Sequence, residues 1–299
     1  MDATNRIEQA LVAAIAAGEM PAVDRGAADR PECPPRLAAA IRYAVFPRGA
    51  RIRPRLCLAV AAACGEDFSV VSDAAAASIE LLHCASLVHD DLPCFDDAET
   101  RRGKASLHKA YGEPLAVLAG DALIVLSFQN LARAAAYAPD RLAALLRTLA
   151  AAASTPSGIV AGQAWECEPQ VNLSQYHRAK TGALFAAATL SGAIAAGAQP
   201  APWRMLGEAL GEAFQLADDI KDAVEDSAEI GKPVGRDAAL GRPNGVASLG
   251  IDGATGALKL LVEEALDSIP LCPGIADLRA IILTETRRLL PKDLSRRAA

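Results

Sequence analysis

Two aspartate-rich stretches lie at the polar edges of long apolar segments: Asp90-Asp91-Leu92-Pro93-Cys94-Phe95-Asp96-Asp97 and Asp218-Asp219-Ile220-Lys221-Asp222. Carboxylates gathered at the end of an apolar helix repel one another and lose hydration, a cost that becomes tolerable when a hard divalent cation sits between them. Two such clusters point to one shared metal site. Asp218 and Asp222 are four apart, so on a helix their carboxylates stack on one face, with Gln215 a turn earlier. His83 and Asp90 also share a helical face, whereas Asp96 meets Asp90 only if the chain turns back after Pro93. The candidate ligands Asp90, Asp91, Asp96, Asp218, Asp219 and Asp222 offer only oxygen, and no Cys or His ligand spacing accompanies them, which selects Mg2+ over Zn2+.

Magnesium held by few carboxylates keeps coordination positions that phosphate oxygens usually fill. Basic residues cluster nearby, in Arg48/Arg51/Arg53/Arg55 and Arg101/Arg102/Lys104. The residues alone therefore describe a Mg2+-dependent site for a di- or triphosphate, suited to a greasy substrate with a charged head.

The elements that must hold these groups are helices. Hydrophobic residues make up 52% of the 299 and aromatics only 4%, alanine is abundant and β-branched alternation is scarce. Helix breakers divide the chain into expected helices near 3–18, 35–45, 52–64, 69–91, 114–137, 139–152, 157–166, 173–197, 201–227, 253–267 and 273–289. Each acidic cluster then sits near a helix C-terminus, where the dipole disfavours carboxylates and favours a cation. No linker, charge block or repeat divides the chain, so the expectation is an all-α, single-domain antiparallel bundle over 1–299 with an apolar interior.

Other classes are disfavoured. The formal net charge of −6 discourages binding to nucleic acid or to anionic membranes. Thr181 to Trp203 carries no charge, yet it is small-residue-rich and ends in Gln199, Pro200 and Pro202, so it reads as a tightly packed central helix rather than a membrane span. The seven cysteines are scattered without a C-x-x-C pair, and Asp2 and Glu8 precede the apolar run from Ala10 to Gly18 where a secretory leader would be basic. A reduced, cytoplasmic protein is expected.

At this point the chain resembles the trans-isoprenyl diphosphate synthases, whose D-D-x4-D and D-D-x-x-D motifs match Asp90 to Asp96 and Asp218 to Asp222. Arg51-Ile52-Arg53-Pro54 is similar to the family's R-x-R-P element, Leu118-Ala119-Gly120-Asp121 to its L-A-G-D, Lys180-Thr181-Gly182 to its K-T-G and Phe214-Gln215 to its F-Q. The match covers nearly the whole chain. Ala161-Gly162-Gln163-Ala164-Trp165-Glu166 resembles the geranylgeranyl-forming branch found in carotenoid- and bacteriochlorophyll-making purple bacteria.

The resemblance implies a prenyltransferase. An allylic diphosphate (dimethylallyl, geranyl or farnesyl) would be held through Mg2+ by Asp90, Asp96 and Asp218, with Arg101, Lys180 and Lys232 on its phosphates. Isopentenyl diphosphate would be held by Arg53, His83 and Arg102, with Arg51 nearby, and Thr181 and Gln215 would stabilise the allylic cation. A homodimer is the implied assembly. Ala85, five residues before Asp90 and so about 7.5 Å along a helix, stands where farnesyl-making bacterial relatives carry an aromatic residue, which implies geranylgeranyl rather than farnesyl diphosphate as main product. A terpene cyclase would need no second diphosphate pocket and usually has an N-S-E type second motif. A non-catalytic subunit typically loses an aspartate motif, and this chain keeps both.

The match departs at Ala50, where the family usually has Lys, and at Arg242, where many relatives have Lys. One ammonium donor to isopentenyl diphosphate is missing, and Arg48 is the nearest substitute in the sequence. Ala50→Lys is therefore expected to lower the KM for isopentenyl diphosphate and leave that for the allylic substrate unchanged, and Arg48→Ala to raise it; steady-state kinetics showing no effect of either change would remove both assignments.

Overall fold

The computed structural model describes residues 2–19, 32–46, 49–134, 136–224 and 245–287. The fold is all-α, as expected. Its main helices are α1 (Ala3–Gly18), α2 (Pro35–Val45), α3 (Ile52–Ala63), α4 (Ser69–Asp90), α5 (Leu107–Tyr111), α6 (Glu113–Ala134), α7 (Pro139–Ala153), α8 (Ile159–Ala164), α9 (Leu173–His177), α10 (Ala183–Ala195), α11 (Arg204–Val224), α12 (Gly245–Asp267) and α13 (Ile275–Arg287). Helices α2 and α7 open on Pro35 and Pro139, where the missing N–H costs nothing because the first turn has no acceptor for it.

Helix α10 occupies the centre. Every residue from Leu184 to Ala195 is buried, as a helix without a polar stripe must be. It packs against α3, α4, α7 and α11, and glycine lets it approach α3 and α11 closely. A first side-chain carbon at Gly192 would stand 2.4 Å from the Cys57 carbonyl oxygen on α3, and one at Gly207 on α11 would stand 2.5 Å from Ala186 Cα. Small residues thus let three backbones meet. The uncharged stretch from Thr181 to Trp203 accordingly contains a buried 13-residue helix followed by a turn and a 3-10 segment, Ala201–Trp203. Helices α4 and α6 are long and apolar enough to cross a membrane by length and composition, but α4 is buried between its neighbours.

Three features differ from the expected helix map. A two-stranded antiparallel hairpin, β1 (Thr100–Arg101) and β2 (Lys104–Ala105), follows the first aspartate cluster. Its turn residues Arg102 and Gly103 both have positive φ (53° and 76°), the backbone twist that two-residue hairpins favour. The expected helix 173–197 is interrupted by a π-helical turn, Arg178–Gly182, between α9 and α10. Helix α12 begins earlier than expected and is kinked at Gly250, whose φ is 69°. Hairpin and π turn both carry residues that the site uses.

Candidate active site

Helix α4 ends at Asp90, and the backbone then folds back on itself. Asp96 N donates to Asp90 O at 3.0 Å, Phe95 N and Asp97 N donate to Leu92 O at 2.9 and 3.0 Å, and Ala98 N donates to Asp91 O at 3.1 Å. This is the reversal after Pro93 that the spacing required. It brings Asp96 beside Asp90, and Glu166, just past α8, joins them, one carboxylate oxygen of each lying within 4.8 Å of the others. Burial pushes Asp90 above the ordinary carboxylate range; Lys180 counters this, while Asp96 and Glu166 add to it.

Lys180 comes from the π turn. Its Nζ donates to Glu166 Oε1 at 2.5 Å and lies 3.4 Å from Asp90 Oδ1. Glu166 is further held by the Tyr176 hydroxyl at 2.7 Å and by Gln163 Nε2 at 3.2 Å. Beside Lys180, the Thr181 hydroxyl donates to Gln215 Oε1 at 2.7 Å, and Gln215 Nε2 donates to Asp219 Oδ1 at 3.0 Å. Asp90, Asp96, Lys180, Thr181, Gln215, Asp218 and Asp222 all line one cavity of about 990 Å³. Sequence spacing and fold agree on that gathering.

Two of the six candidate metal ligands turn elsewhere. Asp91 is 2% exposed and is gripped by Arg101, whose Nε donates to both carboxylate oxygens at 3.0 and 3.1 Å and whose Nη2 also binds Oδ1. Burial raises the Asp91 pKa against this pairing. Asp219, 4% exposed, accepts from Gln215 and from Gly245 N at 2.8 Å. Consecutive helical residues point about 100° apart, so only one aspartate of each pair can face the cavity. The helix period in the sequence carried this distinction, and the six-ligand reading passed over it.

Arg51 is also corrected. It is 3% exposed, in a left-handed conformation (φ 53°), with Nη1 on Glu80 at 2.7 Å, Nε on Glu8 at 3.0 Å and Nη2 on Val45 O at 2.9 Å. Losing one partner of such a buried pair costs about 3–5 kcal/mol, which makes Arg51 a brace between α1, α3 and α4 rather than a substrate ligand. Arg53, by contrast, lines the cavity. Its guanidinium lies over the Phe185 ring at 4.6 Å and near Phe214 at 5.9 Å, with Nη1 3.4 Å from His83 Nε2. Burial lowers its pKa, and Nε has no hydrogen-bond partner among the described residues. Burial, then Arg53 and Arg102, hold His83 well below its ordinary pKa, so it is neutral at pH 7. Arg102 lies outside the cavity lining, with Nη2 3.8 Å from Glu80, and its guanidinium packs on Gly49, next to exposed Ala50. Ala85 is buried and lines the cavity. Lys232, Arg48, Arg242 and the segment Gly231 to Asp237 lie outside the described residues.

Glu166 and Tyr176 were not assigned roles by sequence reasoning. Gln163 and Glu166 are three apart, which places them on one helical side, but a glutamate outside the two aspartate motifs gives no signal until the fold brings it to Asp90.

The comparisons with known proteins bear on this site. The Polyprenyl synthetase family signature matches residues 34–271. The chain belongs to that family. It is a prenyltransferase enzyme, as the resemblance implied. It is 54% identical to the geranylgeranyl diphosphate synthase of Cereibacter sphaeroides, covering 98% of each chain, and 51% identical to that of Rhodobacter capsulatus, covering 97% of each. Among solved structures it resembles the Helicobacter pylori geranyltransferase complexed with magnesium and isoprenyl diphosphate (TM-score 0.79, 30% identity, 96% of each chain). It also resembles the geranylgeranyl pyrophosphate synthetase of Pyrococcus horikoshii (TM-score 0.76, 27% identity, 95% of each chain). In this prenyltransferase the carboxylate trio fits a hard divalent cation: its donors are all oxygen, close together and half-buried.

The raised Asp90 pKa has a consequence for stability. Where a folded carboxyl titrates above its unfolded value, near 3.9, the native state binds more protons, so ionisation costs stability that is recovered as pH falls below the unfolded value. In excess EDTA, Asp90→Asn is therefore expected to melt at or above wild type at pH 7, with the advantage shrinking toward pH 4 on calorimetry; a lower melting temperature at pH 7 would contradict the electrostatic account.

Proposed function

We propose that this prenyltransferase is a Mg2+-dependent geranylgeranyl diphosphate synthase that condenses isopentenyl diphosphate with dimethylallyl, geranyl and farnesyl diphosphates. The observation that carries the reading is the cavity itself, which joins a carboxylate cluster to a small-residue apolar wall. The α4 residues lining it, from Asp90 to Leu82, span about 12 Å at ~1.5 Å per residue. Ala85 lies on that stretch, with Ile124, Phe128 and Ala153 also contributing to the lining.

Asp90, Asp96 and Asp218 would hold the metal, and Glu166, which lies with Asp90 and Asp96, would support them. Bound Mg2+ would supply electrostatic stabilisation of the departing diphosphate. Lys180 and Arg101, already poised on carboxylates, would turn to the phosphates of the allylic substrate, and Lys232 is assigned the same role. Thr181 and Gln215 line the cavity, and their hydroxyl and amide oxygens would stabilise developing positive charge without the nucleophilicity to trap it. Arg53, His83 and Arg102 would orient isopentenyl diphosphate. The unpartnered Nε of Arg53 supports this, since a buried orphan donor costs about 1–3 kcal/mol until an acceptor arrives. The double bond of isopentenyl diphosphate attacks the allylic cation, and the proton lost afterwards goes to the released diphosphate.

Val117, Leu118 and Val125 on α6 are 42%, 51% and 55% exposed, an apolar face that supports a homodimer. The seven free cysteines support a cytoplasmic enzyme.

Incubation with Mg2+, isopentenyl diphosphate and farnesyl diphosphate, followed by chromatography, is expected to give the twenty-carbon diphosphate. In Ala85→Phe the product should shorten to fifteen carbons, because overpacking a filled apolar channel costs about 1–3 kcal/mol or more. Fifteen-carbon product from wild type would overturn the product assignment, and unchanged twenty-carbon product from a folded variant would rule out Ala85 as the gate.

A further inference from the structure

Glu166 is held by two donors of unlike mobility, and both reach the same oxygen. Lys180 Nζ donates to Glu166 Oε1 at 2.5 Å, and the Tyr176 hydroxyl donates to that atom at 2.7 Å. Gln163 Nε2 approaches the other oxygen, Oε2, at 3.2 Å, so side chains from α8, α9 and the π turn converge on one carboxylate. Tyr176 comes four residues before Lys180, and the two side chains meet across one turn. The ammonium stands 5.7 Å from the centre of the Tyr176 ring, within the roughly 6 Å reach of a cation–π contact. Both residues line the cavity.

A bound diphosphate acts on these two donors differently. Lys180 carries a full charge on a flexible stem and already lies 3.4 Å from Asp90 Oδ1 as well, so it can swing from carboxylate to phosphate. Tyr176 cannot follow it. Its side chain has few torsions, it is buried, and its ring packs against His177 with centroids 5.3 Å apart. Its hydroxyl is neutral, so a phosphate exerts no ion-pair pull on it. When Lys180 turns to the diphosphate, Glu166 loses that cation while the charges of Asp90 and Asp96, with oxygens inside 4.8 Å, continue to repel it. A donor that stays in place then decides where the carboxylate stands. The hydroxyl suits this task, because a hydrogen bond to an ionised carboxylate is roughly twice as strong as one between neutral groups.

From this we infer that Tyr176 is a positioning residue: its hydroxyl keeps Glu166 beside Asp90 and Asp96 while Lys180 is engaged with the substrate diphosphate. The inference rests on the role proposed above for Lys180 toward the allylic diphosphate, and it holds whichever product length the enzyme makes. Tyr176 acts through Glu166 and needs no contact with the substrate.

The test is Mn2+ binding to the intact protein, followed by the paramagnetic resonance of the free ion, with and without saturating pyrophosphate. Tyr176→Phe removes the hydroxyl and keeps the ring, so folding is retained. Without pyrophosphate, Lys180 still holds Glu166, and the variant is expected to bind Mn2+ as wild type does. With pyrophosphate it is expected to bind roughly tenfold or more weakly, the scale of loss when the support of a metal-facing group is removed. A residue that only supports the fold would weaken binding equally in both conditions. The pair Glu166→Ala and Tyr176→Phe/Glu166→Ala should bind Mn2+ alike in pyrophosphate, since without the carboxylate the hydroxyl has nothing to position. Wild-type affinity in Tyr176→Phe with pyrophosphate present, an equal loss in both conditions, or a further loss in the double variant would each overturn the inference. Failure of wild type itself to bind Mn2+ with pyrophosphate would remove the metal-site reading, and the inference with it.

Discussion

The structure is organised around the cost of holding several carboxylates in poor contact with water. Asp90, Asp96 and Glu166 converge at the edge of an apolar bundle, where each loses hydration and feels the others. Cations of the protein's own offset part of this cost. Lys180 bridges Asp90 and Glu166, and Arg101 clamps Asp91. Both cations come from elements built for the purpose, the π turn and the β-hairpin. The same charges that steady the carboxylates are those a diphosphate would recruit, so binding exchanges one set of ion pairs for another instead of creating unpaired charge.

Everything behind the site serves to keep that cluster where it is. A central helix without a polar face, α10, can be packed on several sides only if its neighbours approach closely, and glycine at Gly192 and Gly207 permits it. Because α10 continues directly from the π turn, its burial anchors Lys180 and Thr181. Arg51 anchors the other side by joining α1, α3 and α4 through Glu8 and Glu80.

Much of this was legible in the sequence for reasons that can be named. Aspartate at four-residue spacing and a proline after a long apolar helix are local signals, and they located Asp90, Asp96, Asp218 and Asp222 before any fold was known. What escaped were properties fixed by distant contacts. Glu166 lies outside any aspartate motif and gains meaning only when the end of α8 is laid against the end of α4. Arg51 looked like a ligand because it belongs to a basic run, whereas its left-handed backbone and its partners Glu8 and Glu80 turn it inward. The π turn carries no sequence signal of its own: Arg178 to Gly182 holds no proline or other helix breaker that would set it apart from an ordinary helical turn. The short hairpin, with Arg102-Gly103 at its turn, was hidden because two-residue strands are too short to show alternation.

The central claim is that Asp90, Asp96 and Glu166 act together as one divalent-cation site. Electron paramagnetic resonance of free Mn2+, titrated against the protein in the presence of pyrophosphate, measures this directly. The account predicts that Asp96→Asn and Glu166→Gln each weaken Mn2+ binding by about tenfold or more, as expected when a ligand or its close support is removed. Mn2+ affinity and stoichiometry unchanged by both substitutions would contradict it.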